Sequence, residues 1–137
     1  MTTRTGQRDL FTKRVRGAPA ASEFSLHVMI ADVLARWRTP GWRSTHMPLG
    51  EYRPIATAGK LKRMGVTPGW PDFILLSPDK GAHFLELKRH GEKLSEEQRE
   101  FEDYCETHHY PHAVVDCFDD AVLVLKTWGA LRITVTT

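Results

Sequence analysis

An α/β fold built on a mixed sheet is predicted by three features of the 137-residue sequence. Apolar side chains recur at helical spacing from Glu23 to Trp37. Two apolar runs, Asp72–Leu76 and Ala82–Lys88, flank Ser77-Pro-Asp-Lys-Gly81, whose residue types are those of a hairpin turn. A strand–helix–strand unit then extends from Ala82 to Cys117, and such a crossover is right-handed with parallel strands. An antiparallel hairpin joined to a parallel crossover gives a mixed sheet flanked by helices.

Each element has a local cause. Residues 1–21 are basic, lack apolar periodicity and end in Gly, Pro and Ala; five Lys/Arg less Asp9 give them a net charge of +4. They read as a flexible arm ahead of a single domain over residues 22–137. Ser22 has the side chain of an N-cap, and Phe24, Leu26, Val28, Ile30, Val33, Leu34 and Trp37 form the apolar side of the helix it opens. Thr39-Pro40-Gly41 ends that helix, and a strand is expected over Trp42–Met47. The stretch from Pro48 to Gly69 is rich in Gly, Pro and basic residues. It holds one expected short helix near Thr57–Met64, closed by Gly65 in a left-handed conformation. Ser95-Glu-Glu-Gln98 is a capping-box pattern opening a helix to His108, with Leu94, Phe101, Tyr104, Cys105 and His108 on its inner side. His112–Cys117 reads as a strand, Asp119 as the cap of a last helix ending at Leu125 or Trp128, and Leu131–Val135 as a final strand.

Composition narrows the class. A hydrophobic fraction of 41% and a charged fraction of 26% are those of a soluble globular protein. A chain this long can bury enough apolar surface to fold without disulfides. No apolar run approaches the roughly 18–20 residues that cross a bilayer, and the N-terminus lacks a secretion signal, so a cytoplasmic protein with no membrane partner is expected. The two cysteines, Cys105 and Cys117, are read as reduced core thiols. With His108, His109 and His112 they match no standard zinc spacing. Net charge is +2, yet residues 1–65 carry 12 Lys/Arg against 4 Asp/Glu while residues 66–137 carry 7 against 13. A phosphate-binding face beside a carboxylate cluster is one reading of that asymmetry.

The chemistry concentrates in Pro71-Asp72 and Glu86-Leu87-Lys88. Alternate side chains of a strand share a face, so Glu86 and Lys88 point one way and Leu85 and Leu87 the other. A turn over Ser77–Gly81 brings Asp72, at the start of the first strand, beside the end of the second. Two carboxylates at that distance repel unless a hard divalent cation such as Mg²⁺ compensates. With a metal to polarise a phosphoryl oxygen and an ammonium to orient water, these are the parts phosphodiester hydrolysis needs. A solvated Glu86–Lys88 pair on an edge strand is the structural alternative.

The ordered series Leu61-Lys-Arg-Met-Gly65-Val-Thr-Pro-Gly69-Trp-Pro-Asp72-Phe-Ile-Leu-Leu, Phe84-Leu-Glu86-Leu-Lys88 and Leu94-Ser-Glu-Glu-Gln98 resembles the VRR-NUC family, a branch of the PD-(D/E)XK nucleases. The likeness runs from about Glu23 to Leu125. It implies a restriction-endonuclease-like fold in which Asp72, Glu86 and the Leu87 backbone carbonyl hold Mg²⁺ or Mn²⁺ and Lys88 is the catalytic lysine. It further implies that Glu23 reaches the metal directly or through water, and that Gln98 belongs to the centre. Glu23 is equally a first-turn acid favoured by the helix dipole, and Gln98 equally the partner of Ser95 in a capping box, two roles that compete for one amide. Arg53, Lys60, Lys62 and Arg63 are candidate DNA-backbone contacts, with Arg53 at a basic position of the family; a solvated charged face is the other reading. Gly69 is expected to permit a tight turn near the metal. The family departs from this chain at His108-His109-Tyr110, where a glycine is usual. The resemblance implies a homodimeric endonuclease of bacterial or phage type acting on branched DNA, four-way junctions foremost. A nicking or sequence-specific endonuclease and a catalytically silent DNA-binding protein remain alternatives.

Overall fold

The computed structural model describes residues 22–48 and 55–132. The expected N-terminal arm, Arg53 and the end of the expected last strand lie outside the described residues. In chain order the elements are α1 (Glu23–Trp37), β1 (Arg43–His46), α2 (Ile55–Arg63), β2 (Phe73–Ser77), β3 (Gly81–Leu87), α3 (Glu96–His108), β4 (His112–Val115) and α4 (Phe118–Trp128). The described residues fall into two compact units, 41–86 with 93–114, and 22–40 with 87–92 and 115–132.

The first unit carries the sheet, with strands in the order β1-β2-β3-β4. β1 pairs antiparallel with β2, and β2 with β3. The Phe84 N–H donates to the Pro111 carbonyl and the Lys88 N–H to that of Val115. Both chains advance four residues between these bonds, so β3 and β4 run parallel and the sheet is mixed. β3 therefore has a neighbour on each side, and His83, Phe84, Leu85, Glu86 and Leu87 are all buried. β1 is short and polar, as suits a sheet edge.

On α3 only Cys105 is buried; Tyr104, expected on the inner side, is 55% exposed and packs with its ring tilted against His108. Phe101 instead packs edge-on against Phe84 of β3 at 5.1 Å and against Trp70 at 5.0 Å. α3 closes on His109, which adopts a left-handed φ of 63° and donates its N–H to the Cys105 and Glu106 carbonyls. A histidine thus occupies a helix-end position whose left-handed backbone glycine adopts most easily. α2 begins at Ile55, two residues earlier than expected, and Gly65 beyond it is left-handed as expected.

The second unit holds α1 and α4. Ser22 caps α1 by accepting the Ser25 N–H, and the buried stripe is Leu26, Ile30 and Leu34, one turn apart. Phe24, Val28 and Trp37, expected on the apolar side, are exposed. The N-cap position of α4 is held by Cys117, not Asp119, and its side chain makes no capping hydrogen bond; the helix starts at Phe118, so Asp119 falls in its first turn, where an acid still favours the dipole. Cys117 also does not end a strand, because β4 stops at Val115. Leu131 forms an isolated antiparallel bridge with Arg38 where the final strand was expected to begin. No helix among the described residues is long and apolar enough to cross a membrane.

Two buried imidazoles give the fold a pH dependence. His83 and His112 are both held below their ordinary value of 6.5, chiefly by burial, which disfavours the charged ring. Below pH 6.5 the unfolded chain takes up protons there more readily than the folded one, so stability present at neutral pH declines as pH falls. Thermal denaturation is expected at a lower temperature at pH 5.5 than at pH 7.5, with a smaller difference in His83→Gln.

Candidate active site

The β2–β3 hairpin brings Asp72, just before β2, and Glu86, near the end of β3, to one sheet end. Phe73 opposes Leu85 and Ser77 opposes Gly81. The same register carried one residue further sets Asp72 across from Glu86. Glu86 is only 4% exposed because β3 is an interior strand. A carboxylate in that setting is costly unless hydrogen-bonded or neutralised, and Gln98 of α3 donates its Nε2 to Glu86 Oε1 at 3.1 Å.

Gln98 does not have to choose between its two expected roles. Its Oε1 accepts the Ser95 N–H at 2.8 Å, its own N–H donates to Ser95 Oγ at 3.1 Å, and its Nε2 reaches Glu86. The carbonyl end of the amide completes the capping box and the amino end holds the carboxylate. The box therefore fixes which end of the amide faces Glu86. Ser95→Ala should cost about 1 kcal/mol in chemical denaturation, and Ser95→Asp, which can still accept the Gln98 N–H, should recover most of it.

Asp72 is anchored through its backbone. Pro71 before it is fully buried, and the Asp72 carbonyl accepts the Met47 N–H at 2.6 Å and a ring nitrogen of His46, Nδ1, at 2.9 Å. His46 also packs its ring on Phe73 at 5.5 Å, and one of its nitrogens lies within 4.8 Å of an Asp72 carboxylate oxygen. Sequence reasoning did not single out His46. Its only signal is its place at the end of the strand before the Pro-Asp strand, which is legible once β1 and β2 are known to pair.

Gly69 lies in a turn, as expected, and its lack of a side chain has a second consequence. Its φ of +95° is left-handed, and a Cβ built there would stand 2.5 Å from the Glu97 carbonyl oxygen and 2.7 Å from its carbon. The glycine lets the chain entering Pro71-Asp72 pass against the first turn of α3, next to Gln98.

The remaining predicted residues are placed as follows. Lys88 comes one residue after β3; its Nζ lies 3.4 Å from Glu92 Oε1 and its side chain is 14% exposed. Leu87 is fully buried as the last residue of β3. Glu23 sits half-buried in the first turn of α1. Lys60, Lys62 and Arg63 are exposed in the last turn of α2, a position that also favours cations through the helix dipole. The rival zinc set does not assemble: among the described residues Cys105, His108, His109, His112 and Cys117 supply no group of three at ligand distance, and Cys117 lies with Asp116 and Asp120 instead. Cys105 is buried and Cys117 partly so, and burial pushes both thiols up to about 11, which makes them unreactive.

A buried carboxylate, an acid opposite it and a lysine two residues on form the motif order of one nuclease class. The sequence profile of the VRR-NUC domain matches residues 30–119. The chain belongs to the VRR-NUC family. It is thereby a nuclease of the PD-(D/E)XK type, a hydrolase acting on DNA. A solved VRR-NUC domain protein superposes with a TM-score of 0.66 at 21% identity, covering 80% of this chain and 89% of that one. This likeness shows the restriction-endonuclease-like fold. No curated protein matches the chain. The acids of this VRR-NUC chain suit a divalent cation, since oxygen donors with net negative charge are the preferred ligands of hard metals.

Proposed function

We propose that this chain is a metal-dependent endonuclease that hydrolyses DNA phosphodiester bonds, with branched DNA, above all four-way junctions, as its substrate class. The observation that carries the reading is Glu86, a buried carboxylate one residue beyond the Phe73–Leu85 pair, as Asp72 is on the other strand, and followed two residues later by Lys88. Asp72, Glu86 and the Leu87 carbonyl would hold the cation; the family resemblance alone assigns Glu23 to the metal. When bound, Mg²⁺ or Mn²⁺ supplies positive charge to the phosphate oxygens and a binding place for water. Gln98 keeps one Glu86 oxygen in a fixed direction, so the carboxylate needs little reorganisation on binding.

Alternation along β3 supports assigning Lys88 to the same face as Glu86, and the Lys88 N–H continues the ladder to Val115. Its ammonium orients the attacking water and stabilises charge building on the phosphoryl oxygens. Exchanging Glu92 for substrate is cheap, because a pair at 3.4 Å with Glu92 45% exposed is weakly held. Lys60, Lys62, Arg63 and Arg53 would hold the DNA backbone without reading sequence. The preference for branched DNA and a homodimer is supported by the family resemblance, and a two-fold dimer offers two centres to a substrate of matching symmetry.

Labelled single-strand, duplex, flap and four-way DNA, incubated with Mg²⁺, Mn²⁺ or EDTA, tests the reading. Cleavage is expected with either metal, most rapid on the four-way substrate, abolished by EDTA and slowed at least about a hundredfold in Lys88→Ala. Mobility shifts equal in EDTA and Mg²⁺ with intact DNA would instead identify a silent binder.

A further inference from the structure

We propose that His46 is a nitrogen ligand of the metal centre and biases it toward Mn²⁺ over Mg²⁺; the inference rests on the nuclease reading above. A carbonyl can only accept, so the 2.9 Å contact between Nδ1 and the Asp72 carbonyl requires the proton on Nδ1. In the neutral ring that leaves the lone pair on Nε2. Metal-binding imidazoles characteristically donate their other ring N–H to a backbone carbonyl or carboxylate, which fixes tautomer and orientation. Here the accepting carbonyl belongs to Asp72, the residue whose carboxylate is assigned to the metal.

The distances agree with that arrangement. A His46 ring nitrogen and an Asp72 carboxylate oxygen lie within 4.8 Å of each other. Two donors with bonds of about 2.1 Å to one cation stand at most about 4.2 Å apart, which is of the same order as that limit. The ring itself is steadied by Phe73 on one side and by the backbone of the paired strand. It is thus pre-oriented before any ion arrives.

The chemical consequence is selectivity. Mg²⁺ demands near-octahedral oxygen coordination and dehydrates reluctantly, whereas imidazole suits later and softer divalent ions. Replacing one oxygen ligand by His46 nitrogen weakens Mg²⁺ relative to Mn²⁺.

Electron spin echo envelope modulation of the Mn²⁺-loaded full chain, free of DNA, tests this without relying on turnover. Nitrogen modulation from an imidazole is expected in the unmodified protein and is expected to vanish in His46→Gln. Calorimetric titration should show Mn²⁺ affinity falling roughly tenfold or more in that variant, with a smaller loss for Mg²⁺. Absence of nitrogen modulation in the unmodified protein, which needs no variant to fold, overturns the proposal, as does modulation that persists in His46→Gln. Asp72→Asn separates the two layers. If it binds both metals as the unmodified protein does, the metal-centre reading itself fails. If it loses both while His46→Gln keeps full Mn²⁺ affinity, only the role of His46 is lost.

Discussion

Replacing Glu86 by glutamine is expected to remove cleavage while leaving the fold as stable as before, or more so. The two effects have one cause. Glu86 is 4% exposed, and a charge held there opposes folding unless fully compensated. The substituted amide keeps an oxygen for the Gln98 Nε2 hydrogen, so the hydrogen bond survives while the charge goes. Removing a buried charge in this way is neutral or stabilising by about 1–3 kcal/mol. An amide oxygen is a far weaker partner for a divalent cation, and the cleavage rate should fall by about 10³ or more. Glu86→Ala, in contrast, strands the Gln98 donor and leaves a void, for a loss of about 2–4 kcal/mol. Thermal denaturation and gel-based cleavage of both variants check the pair. Equal destabilisation of the two would mean that the carboxylate is a structural ligand and not a strained functional one.

Gly69→Ala should be the most damaging glycine-to-alanine change among the described residues. The backbone there is at a φ of +95° and the added carbon would meet Glu97 backbone atoms at 2.5 and 2.7 Å. Neither can yield without shifting α3, whose first turn carries the capping box and Gln98. Left-handed strain alone costs about 1 kcal/mol, and the clash adds about 2 kcal/mol or more, so a drop of roughly 10 °C in melting temperature is expected. Gly65→Ala isolates the two contributions: its φ is +100°, but no atom lies within 4 Å of the added carbon. It should show the strain without the clash. Because α3 positions the Glu86 partner, Gly69→Ala should also slow cleavage at temperatures where it remains folded, whereas Gly65→Ala should not.

These two sites mark how far local sequence reached. The α1 helix, the Ser77–Gly81 turn and the Ser95–Gln98 box were legible because each is closed by hydrogen bonds over three or four residues. The hairpin turn then made the Asp72–Glu86 register legible as well, since a turn of fixed length sets every pair behind it. Tertiary causes were not visible. Which of the apolar residues of α1 are buried depends on what packs there, so Phe24 and Trp37 looked like core and are exposed. Gln98 presented two readings that seemed exclusive, because a sequence does not reveal that opposite ends of one amide face different partners. Asp119 was the better capping side chain by composition, yet the helix begins one residue before it, at Phe118. Gly69 and His46 owe their roles to Glu97 and Asp72, each 26 or more residues away in sequence.

Anomalous scattering from crystals soaked in Mn²⁺ tests the central claim most directly. The account predicts one strong peak with oxygens of both Asp72 and Glu86 at coordination distance, about 2.0–2.6 Å. A peak touching only one of these carboxylates, or the two side chains turned to opposite faces of the sheet around separate ions, would contradict it.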